Sequence, residues 1–371
     1  MTSNEFLKRL NIQHPIIQGP LGGGPSTPEL VAAVSNAGGL GSLGAAYLTP
    51  DQITGDIQRI KSLTDKPFQV NLFAGGWDEN AHADPQPMLE ILAEIHHAFG
   101  LPPPLWSEQP DLTFTLNHST TAPPLPKPDP FPEQFEAVMD QRPPIFSFTF
   151  GIPNPNAIAR LKKRGIVILG TATTVQEARL LAEAGVDAII AQGAESGAHR
   201  GTFAGPFESS MVPTLELVRG IVAVLNKPVI ATGGLMDGRD IRASLAAGAS
   251  AAALGTAFLV STESGAPRAH KQAILTAARD STVITRAFSG RPARGLPNAF
   301  IQKLMSHEDA ILPYPLQNAL TRAMRAAAAR QANPEFLSLW AGQGVARARS
   351  MPAAELVNCL VAEMAAIMPS K

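Results

Sequence analysis

The chain is poor in several residue types. It has one cysteine (Cys359), two tyrosines (Tyr47 and Tyr314), and charged side chains at only 16% of its 371 positions. A lone cysteine excludes an internal disulfide, and a reducing cytoplasm is the simplest compartment. Charge this sparse, set against 45% hydrophobic residues, excludes a disordered chain and leaves ample material for a large core. A formal net charge of −1 gives no electrostatic reason to expect nucleic acid or an anionic membrane as partner. The first ten residues lack the apolar centre of a signal peptide. The stretch from Ala243 to Val260 is uncharged but rich in Ala, Gly and Ser. It divides into a helix end, a turn at Gly248 and a strand, so no membrane span is expected.

What is present is rhythm. Apolar runs at 15–21, 40–46, 68–73, 145–151, 167–172, 188–193, 228–234 and 251–258 read as eight strands. Helical spacing fills the gaps, with Thr49 as an N-cap before Pro50 and further helix starts near Asn154, Thr174, Met211 and Asp237. Strands spaced this way suit parallel β-α-β units. The expected fold is a (β/α)8 TIM barrel, with a doubly wound open sheet as the alternative. The proline-rich segment 75–144 breaks the rhythm and is read as an insertion or lid above the mouth, leaving 1–74 and 145–265 as the barrel. Residues 266–371 read as a helical extension packing on the barrel mouth, with Arg322, Arg325 and Arg330 on a solvated, alanine-rich helix.

Two patterns mislead. Gly39-Leu-Gly41-Ser-Leu-Gly44 fits a dinucleotide fingerprint, but these glycines run through a strand instead of opening a helix. Adjacent His96 and His97 point about 100° apart on a helix and cannot easily share an ion, so no metal is expected. His14, His82, His118, His270 and His307 read as structural or surface residues.

Three features fall at the C-terminal ends of strands, where barrel enzymes build their sites. Gly233-Gly234 after strand seven and Gly255-Thr256 near the end of strand eight suit a phosphate, because backbone N–H groups can approach it closely there. The neutral amides of Gln18, Asn71 and Gln192 suit the alternating donors and acceptors of a flavin pyrimidine edge or a similar heterocycle. His199 sits in the glycine-rich loop Gly193–Phe203, where an imidazole can accept a proton or present positive charge to an anion. Glu195 and Arg200 read as loop ion-pair formers.

Taken in order, these segments resemble the nitronate monooxygenase family, formerly the 2-nitropropane dioxygenases. The resemblance rests on Gln18-Gly-Pro-Leu21, Gln69-Val-Asn71-Leu-Phe73, Ser147-Phe-Thr-Phe-Gly151 and the run from Gln192 through His199. It rests also on Ala231-Thr-Gly-Gly-Leu235, Leu254-Gly-Thr-Ala-Phe258 and Arg286-Ala-Phe-Ser-Gly-Arg-Pro-Ala-Arg294, the last resembling the class I branch. The resemblance implies non-covalent FMN contacted by Asn71, Gln192, Gly197 and Gly234, with Ala253, Leu254, Gly255 and Thr256 lining it through backbone. It implies His199 as the catalytic histidine, acting on alkyl nitronates such as propionate 3-nitronate, and in some members on nitroalkanes. O2 is the co-substrate, a carbonyl compound and nitrite the products, and neither a metal nor a nicotinamide is implied. The protonated imidazole would then pair with the nitronate oxygens. The alternatives are an FMN-dependent NAD(P)H reductase of enoyl-thioesters or quinones, and a flavin-binding protein without turnover. With only two tyrosines, few phenols are expected in a substrate pocket.

Overall fold

The computed structural model describes residues 3–76, 83–104 and 129–367. Eight parallel strands form one sheet: β1 Ile16–Gln18, β2 Gly41–Gly44, β3 Phe68–Phe73, β4 Ile145–Thr149, β5 Val167–Ala172, β6 Ala188–Gln192, β7 Val229–Thr232 and β8 Ala251–Leu254. From β2 to β8 each strand pairs with the next, and β8 pairs with β1. The ring is completed between β1 and Leu40, which precedes β2, where Gln18 N–H donates to Leu40 O and Leu40 N–H to Ile16 O, both at 2.9 Å. The fold is a TIM-type barrel, and the open-sheet alternative is excluded.

Side chains alternate across each strand, so one set fills the barrel and the other meets the helices. Inside lie Ile17, Leu169, Ile190, Ile230 and Ala253, and the Ser3–Leu10 helix plugs the lower end with Phe6 and Leu10. The helices begin where capping chemistry dictates. Thr49 forms a capping box with Gln52, while Asn154, Thr174 and Asp237 accept from the first-turn N–H groups of theirs. The helix expected near Met211 starts at Thr214, after a 3-10 turn over Phe207–Ser210. Strand eight is shorter than expected, because Gly255 already caps the Thr256–Leu259 helix.

Two segments belong to the barrel wall although the sequence suggested otherwise. Phe131–Gln141 packs against the Pro50–Leu63 helix and β3, making it the third connecting helix; Phe135, Val138 and Met139 are the side chains it buries. Ala353–Ala366 packs between the Pro28–Asn36 and Gly238–Ala246 helices and takes the eighth helical position. Between Leu259 and Ala353 the chain forms a roof of short helices and two strands, Val283–Thr285 and Ala293–Gly295. The Gln86–Ala98 helix packs on that roof through Met88, Ile91, Leu92 and Ile95, against Phe288 and Phe300. Most of the remaining proline-rich insertion, including the expected lid and His82 and His118, lies outside the described residues.

Among the described residues no helix is long and apolar enough to cross a membrane, and no His/Cys/Asp/Glu group could hold a metal. His96 bonds Pro102 O at 2.7 Å through Nδ1. The fingerprint-like glycines serve packing: a Cβ on Gly41 would stand 2.1 Å from Val31 O on the neighbouring helix. Gly41→Ala should therefore force that helix outward and lower the melting temperature by at least several degrees. Unchanged melting would overturn the packing role of these glycines.

Candidate active site

The inward-facing residues nearest the strand C-termini form the floor of one cavity: Asn71, Thr149, Thr171, Gln192 and Thr232. Of the residues expected from sequence, Asn71, Gln192, Gly197, His199, Gly233, Gly234, Ala253, Gly255 and Thr256 line it together. Gln18 and Leu254 do not. Leu254 points into the outer core. The buried Gln18 amide ties the β1 loop to β2, accepting from Ser42 N–H at 2.8 Å and donating to Ser26 Oγ at 3.2 Å.

Gln69, two residues before Asn71 on the same strand face, is a better candidate than Gln18. Its amide nitrogen donates to Ser42 Oγ at 2.5 Å, while Oε1 is buried at the cavity without a partner. Asn71 donates to Ser147 Oγ at 3.0 Å. Gln192 spends its amide on the loop that follows it, donating to His199 O at 3.0 Å and accepting from Gly201 N–H at 2.7 Å. Facing these amides, Gly233 and Gly234 adopt φ of 138° and 68°, which turns the chain sharply at the end of β7.

The His199 loop is pinned along its length. Ala198–His199 is a two-residue strand paired antiparallel with Ala293–Arg294. Arg200 and Glu195, expected to form loop ion pairs, grip backbone and hydroxyl groups. The buried Arg200 guanidinium donates to Gly193 O at 2.5 Å, Ser210 O at 2.8 Å and Gln192 O at 3.0 Å. Glu195 accepts from Thr214 N–H and Oγ1. The buried Glu177 carboxylate accepts from Phe203 N–H at 2.6 Å and Ala204 N–H at 2.9 Å, fixing the far side of the loop.

Above the floor the roof supplies residues the sequence did not single out. The His199 ring lies 5.5 Å from Trp340 and 6.0 Å from both Phe150 and Tyr314. Its Nε2 lies 2.8 Å from Ser289 Oγ, whose own proton can go to Arg291 O at 3.2 Å. In that arrangement Nε2 carries the ring proton and Nδ1 keeps a free lone pair. Tyr47 lines the cavity, and Tyr314 packs on the His199 ring beside it.

Arg325 is the principal correction. It was expected in solvent, yet it is buried and lines the cavity, donating to Asn318 O at 2.6 Å and Oδ1 at 3.0 Å. The packed run Ala326–Ala328 beside it was the sequence signal that this helix face is covered. Burial pushes the Arg325 guanidinium down to about 10, which leaves it charged at neutral pH. Arg291 is stacked 4.0 Å over Phe150.

Burial, followed by the charges of Arg291 and Arg325, pushes the His199 imidazole down to about 3. His270, which bonds Trp340 O at 3.0 Å and also lines the cavity, is pushed down to about 4 by burial. The resting site thus disfavours the imidazolium that a loop histidine would readily form.

The whole-chain comparisons agree with this fold. Residues 4–363 match the family model described as nitronate monooxygenase. This chain belongs to the nitronate monooxygenase family. It is 39% identical over 361 residues to a probable nitronate monooxygenase of Staphylococcus saprophyticus, covering 97% of each chain. A Staphylococcus aureus protein of the same description is 38% identical over 369 residues, with 99% of each covered. Among solved structures, nitroalkane oxidase from Streptomyces ansochromogenes superposes with a TM-score of 0.83 at 38% identity, covering 98% of both chains. FabK from Thermotoga maritima superposes at 0.73 with 28% identity, covering 97% of this chain and 96% of that one. The protein is accordingly an oxidoreductase of this family.

Both depressed histidines must gain protons when the chain unfolds in acid. Each contributes stability that is complete above about pH 6.5 and is lost as pH falls toward its folded value, at up to about 1.4 kcal/mol per pH unit. Nuclear magnetic resonance of ring-15N-labelled histidine should find His199 and His270 neutral at pH 5.5. Titration of either near 6.5 would contradict the buried, cation-flanked environment.

Proposed function

We propose that the enzyme binds FMN in this cavity and oxidises alkyl nitronates, with propionate 3-nitronate as a representative, using O2 and yielding a carbonyl compound and nitrite. The single observation that carries the cofactor reading is the unpartnered, buried Oε1 of Gln69 beside Asn71 at one side of the cavity, opposite the glycine turns after β7 and β8. An acceptor buried without a partner costs about 1–3 kcal/mol, which a heterocycle N–H would recover. Asn71 and Gln69 would hold the polar edge of the flavin. The backbone at Gly233, Gly234, Gly255 and Thr256 would face its phosphate. Bound FMN supplies the redox chemistry between nitronate and O2. Family membership and the nitroalkane oxidase likeness support this reaction over other flavin chemistry.

His199 is the proposed catalytic residue. Its Nδ1 lone pair can take the α-proton of a neutral nitroalkane, while Ser289 holds the ring through Nε2. A base whose proton affinity is set this low is a weak one at neutral pH, because general bases work best when matched to the operating pH. Slow turnover of neutral nitroalkanes and faster turnover of nitronates therefore follow from the same environment. The aromatic wall of Phe150, Tyr314 and Trp340 excludes water from the reacting atoms.

His199→Asn should retain flavin and lose about 10²- to 10⁴-fold in kcat/KM on a neutral nitroalkane, with a smaller loss on the preformed nitronate. Steady-state O2 uptake on both forms is the measurement, and equal losses would remove the base role. Anaerobic mixing of the flavin-loaded enzyme with NADH should leave the flavin oxidised; prompt bleaching would favour an NAD(P)H reductase instead.

A further inference from the structure

Asn318, on the Leu316–Leu320 helix of the roof, lines the cavity with only 6% of its surface exposed. A buried amide ordinarily spends both of its ends on hydrogen bonds. Asn318 spends one. Its Oδ1 accepts from Arg325 Nη2 at 3.0 Å, and its backbone O accepts from the same nitrogen at 2.6 Å. A guanidinium can only donate, so this contact fixes which end of the amide is oxygen. Nδ2, with its two N–H donors, is the other end. It finds no acceptor among the described residues, and it is not sealed inside the protein as an orphaned atom.

Contacts within the roof fasten this helix beside the His199 imidazole. Gln317 Nε2 donates to Ala287 O at 2.7 Å, and Thr321 Oγ1 donates to Phe288 O at 2.6 Å. Both carbonyls lie on the stretch that leads directly into Ser289, whose Oγ is 2.8 Å from His199 Nε2. Thr321 Oγ1 is also 3.5 Å from Asn318 O. Four residues before Asn318, the Tyr314 ring stands 6.0 Å from the imidazole. The amide therefore belongs to the roof around His199, above the floor that carries Asn71. Other groups of the lining offer acceptors. Gln69 Oε1 has no partner, and His270, which gives its Nε2 proton to Trp340 O, keeps a lone pair on Nδ1. Asn318 offers donors.

We propose that Asn318 is a specificity-determining residue whose Nδ2 donors, held in orientation by Arg325, bind the paired oxygens of the substrate. This rests on the nitronate reading given above. A nitronate offers acceptor oxygens and no donor, the complement of an amide N–H2 group. A site built around such a donor rejects a ligand that brings its own N–H to the same place, because two donors then face each other without an acceptor. The selection is between acceptor and donor, and it needs no charge on the protein group that makes the contact. The substrate class is a small molecule ending in paired acceptor oxygens, and inert carboxylates of that size should occupy the same place.

The test uses flavin-loaded full-length enzyme and Asn318→Asp, which keeps the side-chain shape and the contact with Arg325 but replaces the two donors with an acceptor oxygen. In the wild type, propionate should perturb the bound-flavin spectrum at least about 10-fold more tightly than propionamide, which brings a donor where the second oxygen would sit. In Asn318→Asp the order should reverse, because the propionamide N–H2 can donate to the new carboxylate. The KM for the nitronate should rise about 10- to 10²-fold, with kcat within about 3-fold and flavin content unchanged. A purely structural role would weaken both probes together and leave their order as it was. An unreversed order in Asn318→Asp, release of its flavin, or equal or absent binding of the two probes by the wild type would each overturn the proposal. The wild-type comparison needs no variant, so an Asn318→Asp protein that fails to fold leaves the proposal exposed to it. If no nitronate is oxidised but the order of the probes still reverses, the reaction assignment fails and the Asn318 site stands.

Discussion

The site depends on one buried guanidinium, that of Arg200. Its hydrogen bonds to Gly193, Gln192 and Ser210 carbonyls convert a glycine-rich loop into a fixed arm. Without such a clamp the loop would sample many conformations, and ordering it would cost about 1–2 kcal/mol per residue at every binding event. With it, the cost is met once, during folding. The Glu177 carboxylate and the Gln192 amide complete the arm, and pairing with Ala293–Arg294 attaches it to the roof. His199 is thereby placed by four separate elements of the fold.

The clamp has an electrostatic counterpart. Arg291 and Arg325 stay charged while His199 beside them is driven neutral, because desolvation and like charge act in one direction on an imidazole. Guanidinium groups tolerate burial without losing their proton, and imidazole does not. At rest the positive charge therefore sits on the guanidinium groups, and the imidazole beside them is neutral.

Much of this was legible in the sequence, and the limits have physical reasons. Strand rhythm and capping residues gave the barrel, since β1–β8 and their helices are set by local periodicity. The mouth-facing amides Asn71 and Gln192 followed from their residue type and their place near the ends of β3 and β6. Alternation along β3 also marks Gln69, whereas the amide chosen after β1, Gln18, ties that loop to β2. Arg325 and Trp340, which line the cavity, and Ser289 and Tyr314, which touch His199, come from segments with no periodic relation to the barrel, so only the alanine run beside Arg325 hinted at any of them. Their positions depend on tertiary packing of the roof. The Phe131–Gln141 helix itself is legible as a helix near 132–139, but the prolines before it assign it to an insertion instead of the wall.

The eighth wall position, filled by Ala353–Ala366, carries a consequence for how this molecule is made. A chain leaving the ribosome presents its last barrel strand early and the helix that seals that strand only after the whole roof has been synthesised. The outer wall between the Pro28–Asn36 and Gly238–Ala246 helices stays open during that interval, with apolar surface unprotected. Closure of the barrel and covering of its mouth become one late event. A chain that stops short of residue 353 would keep every residue of its cavity and still lack the helix that closes its wall.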